Sequence, residues 1–217
     1  MEHFDENPTT SQLIFTGKST SIEAMPATLF LIFAAILYRV VPAVLHLHTS
    51  WTENFSPLAS IVLCGALFFP KKWAVAVPLV ILVISDVILN AFAYHAPLLS
   101  WEILPRYIVL GGIGFLAFRH RVRLRSNSTQ ILGSSLVGSA IFYLVTNAAS
   151  WVGDPAYFKT VNGLVQSLTI GVEGYPPSYL FLRNSLASDL LFTGLFLVCM
   201  AVTKHRPVVA QTHTVAA

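Results

Sequence analysis

Four charged side chains stand well inside apolar stretches of this sequence, away from their ends: Arg39, Asp86, Arg106 and Asp189. A charge in hydrocarbon is costly, so each is expected to be kept for a partner, a ligand or a proton path. Two arrangements satisfy them. Arg39–Asp86 and Arg106–Asp189 can neutralise one another as internal ion pairs, or the same groups can line a pocket for a small polar molecule. Counting 1.5 Å per helical residue puts Asn90, Asn147 and Asn184 in the same layer, and neutralisation alone does not require these amides. The expected site is therefore a substrate-binding layer. Arg39 contacts an anionic group or holds Asp86, while Asp86 and Asp189 accept from donors on the ligand. Asn54, Asn90 and Asn147 fix orientation, with Arg106 and Asn184 beside them.

Other chemistries find less support. Asp86 and Asp189 can share a proton as a catalytic dyad does, but neither stands in the Gly-x-Gly-Asp setting of intramembrane aspartyl proteases. His46, His48 and His95 fall on one side as candidate metal ligands, and the same spacing describes solvated interfacial histidines. The chain has no His-Glu-x-x-His, Gly-x-Ser-x-Gly or Gly-x-x-x-x-Gly-Lys-Ser/Thr motif. Neither catalysis nor a cofactor or metal is expected, and ATP hydrolysis by this chain alone is excluded.

The elements that carry these residues follow from composition. Of 217 residues, 55% are apolar and 11% charged, where a soluble domain carries about 25% charged. That excludes disorder, an ordinary water-soluble globule and a nucleic-acid binder with a dense basic face. A lipid bilayer is the expected solvent. Six stretches approach the roughly 20 apolar residues that a helix needs to cross it: 26–45, 57–69, 73–94, 98–118, 131–152 and 182–203. Pro26 and Pro57 are expected in first turns, and Pro78 as a kink within the third stretch. Cys64 and Cys199 fall inside spans as small packing residues. The expected fold is an all-α integral membrane bundle of six transmembrane helices, with a polar tail over 1–25, the bundle over 26–203 and a second tail over 204–217.

Polarity follows from the loops. Lys18, Lys71, Lys72, Arg119, Arg121, Arg123, Arg125, Lys204 and Arg206 all fall on one side if the span count is even. The positive-inside rule then makes both termini cytoplasmic. Trp51, Trp101 and Trp151 mark the outer boundary and Trp73 the inner one, as an aromatic belt does. On the outer side, residues 46–57 form one polar loop, in which Asn54 or Ser56 can cap the next helix. Residues 153–179 form another. There Val161, Leu164, Val165 and Leu168 make the apolar stripe of an amphipathic helix that lies on the membrane or over the pocket. Gly174-Tyr-Pro-Pro177 then turns the chain into the last span. Small residues at four-residue spacing (Ser56, Ser60, Cys64; Ser134, Gly138) permit close helix contact.

Several separated motifs carry a family resemblance. They are Arg39 before Pro42, Asn54-Phe-Ser-Pro57-Leu-Ala59 leading into Gly65-Ala-Leu-Phe-Phe69, Ser85-Asp86, Thr146-Asn147 before Trp151, and Asn184-Ser-Leu-Ala-Ser-Asp189-Leu-Leu-Phe192. Together they resemble a family of small uncharacterised bacterial membrane proteins. That family in turn is similar to the substrate-binding S components of energy-coupling-factor vitamin transporters. The resemblance implies a multi-pass protein of the bacterial inner membrane with a pocket near the outer face. It also implies a transmembrane coupling protein and ATPase subunits as partners. The function expected is a binding-and-translocation subunit for a small polar, vitamin-like metabolite; the alternative is an accessory or assembly subunit of a larger membrane complex, without a ligand.

Overall fold

A computed structural model describes residues 19–47, 55–95, 97, 101 and 103–204. Among them every regular element is helical. The order is α1 (Ser19–Val44), α2 (Leu58–Phe68), α3 (Ala76–Leu89), α4 (Ile103–Arg119), α5 (Arg121–Arg125), α6 (Ser128–Gly153), α7 (Val161–Leu168) and α8 (Ser178–Lys204), with a π-helical turn, Asn90–Tyr94, continuing α3. Among the described residues there are thus eight α-helices rather than six, because short helices also form in two of the loops, the expected one over 161–168 and α5 in the basic turn. Among the described residues three segments are long and apolar enough to cross a membrane: Ala76–Tyr94, Ser128–Gly153 and Ser178–Val202. Thr28–Val44 and Leu58–Phe68 are apolar but shorter.

The fold is organised around α2. Every residue from Ala59 to Phe68 is buried, and the helix packs against α1, α3, α4, α6 and α8. A helix apolar on all sides has no face to give to water, so it occupies the centre. On one side Leu63, Leu67 and Phe68 pack with Ala117, Ile131 and Phe196. On the other, Ile61 and Val62 pack with Ile32, Ala35, Leu82 and Leu110. Gly65 lets α3 come close, since a Cβ there would stand 2.1 Å from Cγ of Pro78. The outward faces remain apolar and exposed, among them Phe30, Phe33, Ile84, Ile108, Phe115 and Val198. So much unpartnered apolar surface does not suit water.

Three expected boundaries change. Helix α1 begins at Ser19, so Pro26 lies inside it and seven of the residues assigned to the tail are helical. Helix α3 begins at Ala76 after a turn, so Pro78 occupies its first turn, where a missing N–H breaks no helical bond, and does not kink it. Ser56 does not cap α2: Pro57 is the capping residue without a side-chain bond, and the Ser56 hydroxyl is buried without a partner among the described residues. Asn54 lies outside the described residues.

Arg121 supplies what the other end of α2 needs. Its Nη2 donates to the carbonyls of Leu67 (2.7 Å) and Phe69 (3.1 Å), groups a helix C-terminus leaves without intrahelical partners. Arg125 lies over the Phe68 ring, 5.0 Å from its centroid. Two of the four arginines in the basic turn therefore brace α2. Burial lowers the pKa of both side chains.

Candidate functional site

Helices α1, α3 and α4 bring three of the expected residues together. Arg39, from α1, donates through Nη2 to Oδ1 of Asp86 and through Nη1 to the Ser85 hydroxyl. Ser85 in turn donates to the Leu82 carbonyl (2.8 Å). From α4, Arg106 Nη1 reaches Asp86 Oδ2 at 3.2 Å, and the Tyr107 hydroxyl donates to the same oxygen at 2.7 Å. One carboxylate thus faces two guanidinium groups, which leaves the cluster with one net positive charge. The Arg39 and Asp86 side chains are 10% and 11% exposed, whereas Arg106 is 35% exposed. Arg106 is the open member, able to keep Asp86 and still turn donors toward a second anion.

Arg39–Asp86 is therefore an ion pair, but Arg106–Asp189 is not. Asp189 belongs to a separate cluster between α2, α6 and α8 and is 2% exposed. Its carboxylate accepts from the Ser60 backbone N–H (2.7 Å) and from the Ser139 hydroxyl. Its backbone carbonyl accepts from the hydroxyls of Ser60 (2.6 Å) and Ser135 (3.3 Å). Thr193, one turn further along α8, lies 2.8 Å from the Ser60 hydroxyl and 2.9 Å from that of Ser135. Among the described residues no Lys or Arg pairs with Asp189. The dyad arrangement is absent as well, since Asp86 and Asp189 meet different sets of groups.

The amides scatter. Asn90 opens the π-helical turn and points Nδ2 at the Pro97 carbonyl, 3.4 Å away. Asn147 donates to the Tyr143 carbonyl on its own helix (2.9 Å). Asn184 is fully buried and accepts from Arg183 Nε (3.1 Å). A shared level along the helices did not become a shared direction. Among the described residues no group of three or more His, Cys, Asp and Glu gathers as metal ligands; His48 lies outside them.

The amphipathic segment does form a helix, α7, capped by Thr160. Its packed face is Gly163 and Ser167, while Val161 and Val165 of the expected apolar stripe are exposed. Small residues let α7 lie close to its neighbours and send the larger apolar side chains outward. It is also fastened. The Tyr143 hydroxyl of α6 donates to the Leu168 carbonyl at 2.6 Å. At the other end, Lys159 Nζ donates to the carbonyls of Trp151 (2.5 Å) and Asp154 (2.6 Å). In that connection burial raises the Tyr157 pKa, with Asp154 adding to the shift. A cavity of about 50 Å³ is touched by Ser56, Tyr143, Thr146, Ser185 and Asp189, and no residue of α7 lines it. That is room for water rather than for a metabolite.

Ser85, Tyr107, Ser60, Ser135, Ser139 and Thr193 were not singled out as site residues. The last four carried a signal: hydroxyls spaced by four, Ser135 and Ser139 on one helix, and Thr193 four after Asp189. The small-residue pattern includes Ser60 as a packing residue, but on α6 it falls on Ser134 and Gly138, one residue out of phase with Ser135 and Ser139.

Fold and geometry define an all-helical bundle with an apolar exterior and two polar clusters, one cationic and half-open, the other sealed. Residues 19–211 match a family of unknown function (DUF6580), and the chain belongs to that family. No curated protein and no solved structure matches it.

Proposed function

We propose that the protein is a six-span membrane subunit that binds a small anionic metabolite at Arg39, Asp86 and Arg106 and takes part in its translocation. One observation carries the reading: two guanidinium groups converge on a single carboxylate, and the more exposed of them retains donors to spare. In a low-dielectric setting an uncompensated cation calls for an anion, and an arginine fork matches a carboxylate or phosphate.

The six spans would be α1, α2, α3, α4, α6 and α8, with both termini on the side of the basic loops. At 11 residues α2 covers only about 16 Å, and its complete burial suits a half-span screened from lipid by its neighbours. The likeness to S components of energy-coupling-factor transporters rests on the sequence motifs alone. A coupling protein with ATPase subunits, and a place in the bacterial inner membrane, belong to the same proposal.

The test is native mass spectrometry and thermal shift of the purified full-length chain with paired metabolites, each offered with and without its carboxylate or phosphate. Only the anionic member of a pair should bind, and Arg106→Gln should weaken it by about tenfold or more, the worth of a hydrogen bond to a charged group. Binding of neutral members alone, or unchanged affinity in Arg106→Gln, would sink the reading. An accessory subunit would instead bind none of them and copurify in fixed ratio with another chain.

A further inference from the structure

A cavity of about 560 Å³ lies elsewhere, between α4 and α6. Its walls are apolar, built from Leu63, Ile113, Leu116, Val137 and Ile141. Gly133 keeps it open on the α6 side, with nothing within 4 Å of a Cβ position. One end is polar and basic, formed by His120, Arg123 and Gln130, and no acidic residue lines the cavity. Arg123 is exposed and pairs with no described carboxylate, unlike Arg121 and Arg125, which brace α2. The Gln130 side-chain oxygen is buried without a partner among the described residues.

The length of the groove sets its occupant. From Gln130 to Ile141 along α6 is about 16 Å at 1.5 Å per residue, and one leaflet of a hydrocarbon core roughly 30 Å thick is about 15 Å deep. We propose that this groove is a binding site for an anionic phospholipid, with an acyl chain between α4 and α6 and its phosphate at Arg123 and His120. The apolar walls take the chain, and the basic end selects a headgroup with net negative charge over a zwitterionic one. The leaflet is the one on the side of the basic turn. This site is separate from the Arg39–Asp86–Arg106 cluster and requires only that the bundle lie in a bilayer, so the two readings fail independently.

The full-length chain is reconstituted into nanodiscs holding equal amounts of phosphatidylglycerol and phosphatidylcholine with identical acyl chains. It is then released into mild detergent, and retained lipid is counted by native mass spectrometry. Phosphatidylglycerol should be retained about fivefold over phosphatidylcholine, the preference that one basic side chain near the headgroups can give. Arg123→Gln should bring the ratio close to one without lowering total lipid. Gly133→Leu, whose Cβ meets no atom within 4 Å and whose side chain extends from the groove wall, should lower retention of both lipids while the unfolding midpoint stays near that of the wild type. Equal retention of both lipids by the wild type, an unchanged ratio in Arg123→Gln, or an unchanged lipid load in Gly133→Leu would overturn the assignment. So would variants that alter the oligomeric mass instead of the lipid load, since the groove would then hold a second polypeptide.

Discussion

Asp86 and Asp189 are the same residue type in helices of the same apolar bundle, and they have been satisfied by opposite means. Asp86 meets two arginines and a tyrosine and keeps contact with the outside through Arg106. Asp189 meets serine hydroxyls and a backbone N–H, and nothing reaches it from outside except by way of a small cavity. A carboxylate held by cations brings surplus charge into the bundle and with it an appetite for an anion. A carboxyl group held by hydroxyls and an N–H brings no cation to draw an anion in, and acts as a pin between α2, α6 and α8. Ionisable groups within a bundle are thus separated by the charge of their partners, which a count of them cannot do.

The comparison breaks first, and most severely, at Asp86. Asp86→Leu strands two guanidinium groups and should destabilise the protein by about 3–5 kcal/mol, the usual consequence of removing one side of a buried ion pair. Chemical unfolding in mixed micelles measures it, and a loss below about 1 kcal/mol would mean that water already screens the cluster. Next comes the pin. Asp189→Leu leaves the buried Ser60 N–H without its acceptor, while the Ser139 hydroxyl falls back on the Ser135 carbonyl, and should cost about 2–3 kcal/mol. Asp189→Asn keeps a carbonyl for Ser60 and a group that Ser139 can meet, so its loss should be about 1 kcal/mol. If Asn proves as damaging as Leu, the charge itself matters and the contrast with Asp86 fails. The smallest effect belongs to Tyr107→Phe, which removes one of several donors to Asp86 and should cost about 1 kcal/mol in the same assay.

Much of the helical order is legible in the residues, because an apolar stretch bounded by Pro, Lys or Arg leaves few alternatives to a helix. Asn127 and Thr160 mark helix starts by chemistry that acts over two or three residues, and the helix over 161–168 follows from its periodicity. Partner choice is another matter. Position along a helix fixes the level of a side chain but not its bearing about the bundle axis, so Arg106 could be put level with Asp189 and still face Asp86. Asn90 shows a second reason. It stands one helical turn after Asp86, yet its amide turns to the Pro97 carbonyl beyond the π-helical turn. The hydroxyl cage escaped notice because serines in apolar helices read as spacers that let backbones approach. Here they are also the donors that make a buried carboxylate tolerable.

The clamp at the end of α2 bears on how such a chain is made. Leu67 is synthesised 54 residues before the Arg121 that satisfies its carbonyl. Until α4 and the turn after it have been built, the last acceptors of the central helix lack this donor, and at 11 residues the helix is shorter than the three segments long enough to cross a membrane. Its final placement therefore waits on later segments. Assembly of this bundle is a matter of closing a ring around a half-made axis, not of threading finished spans one after another.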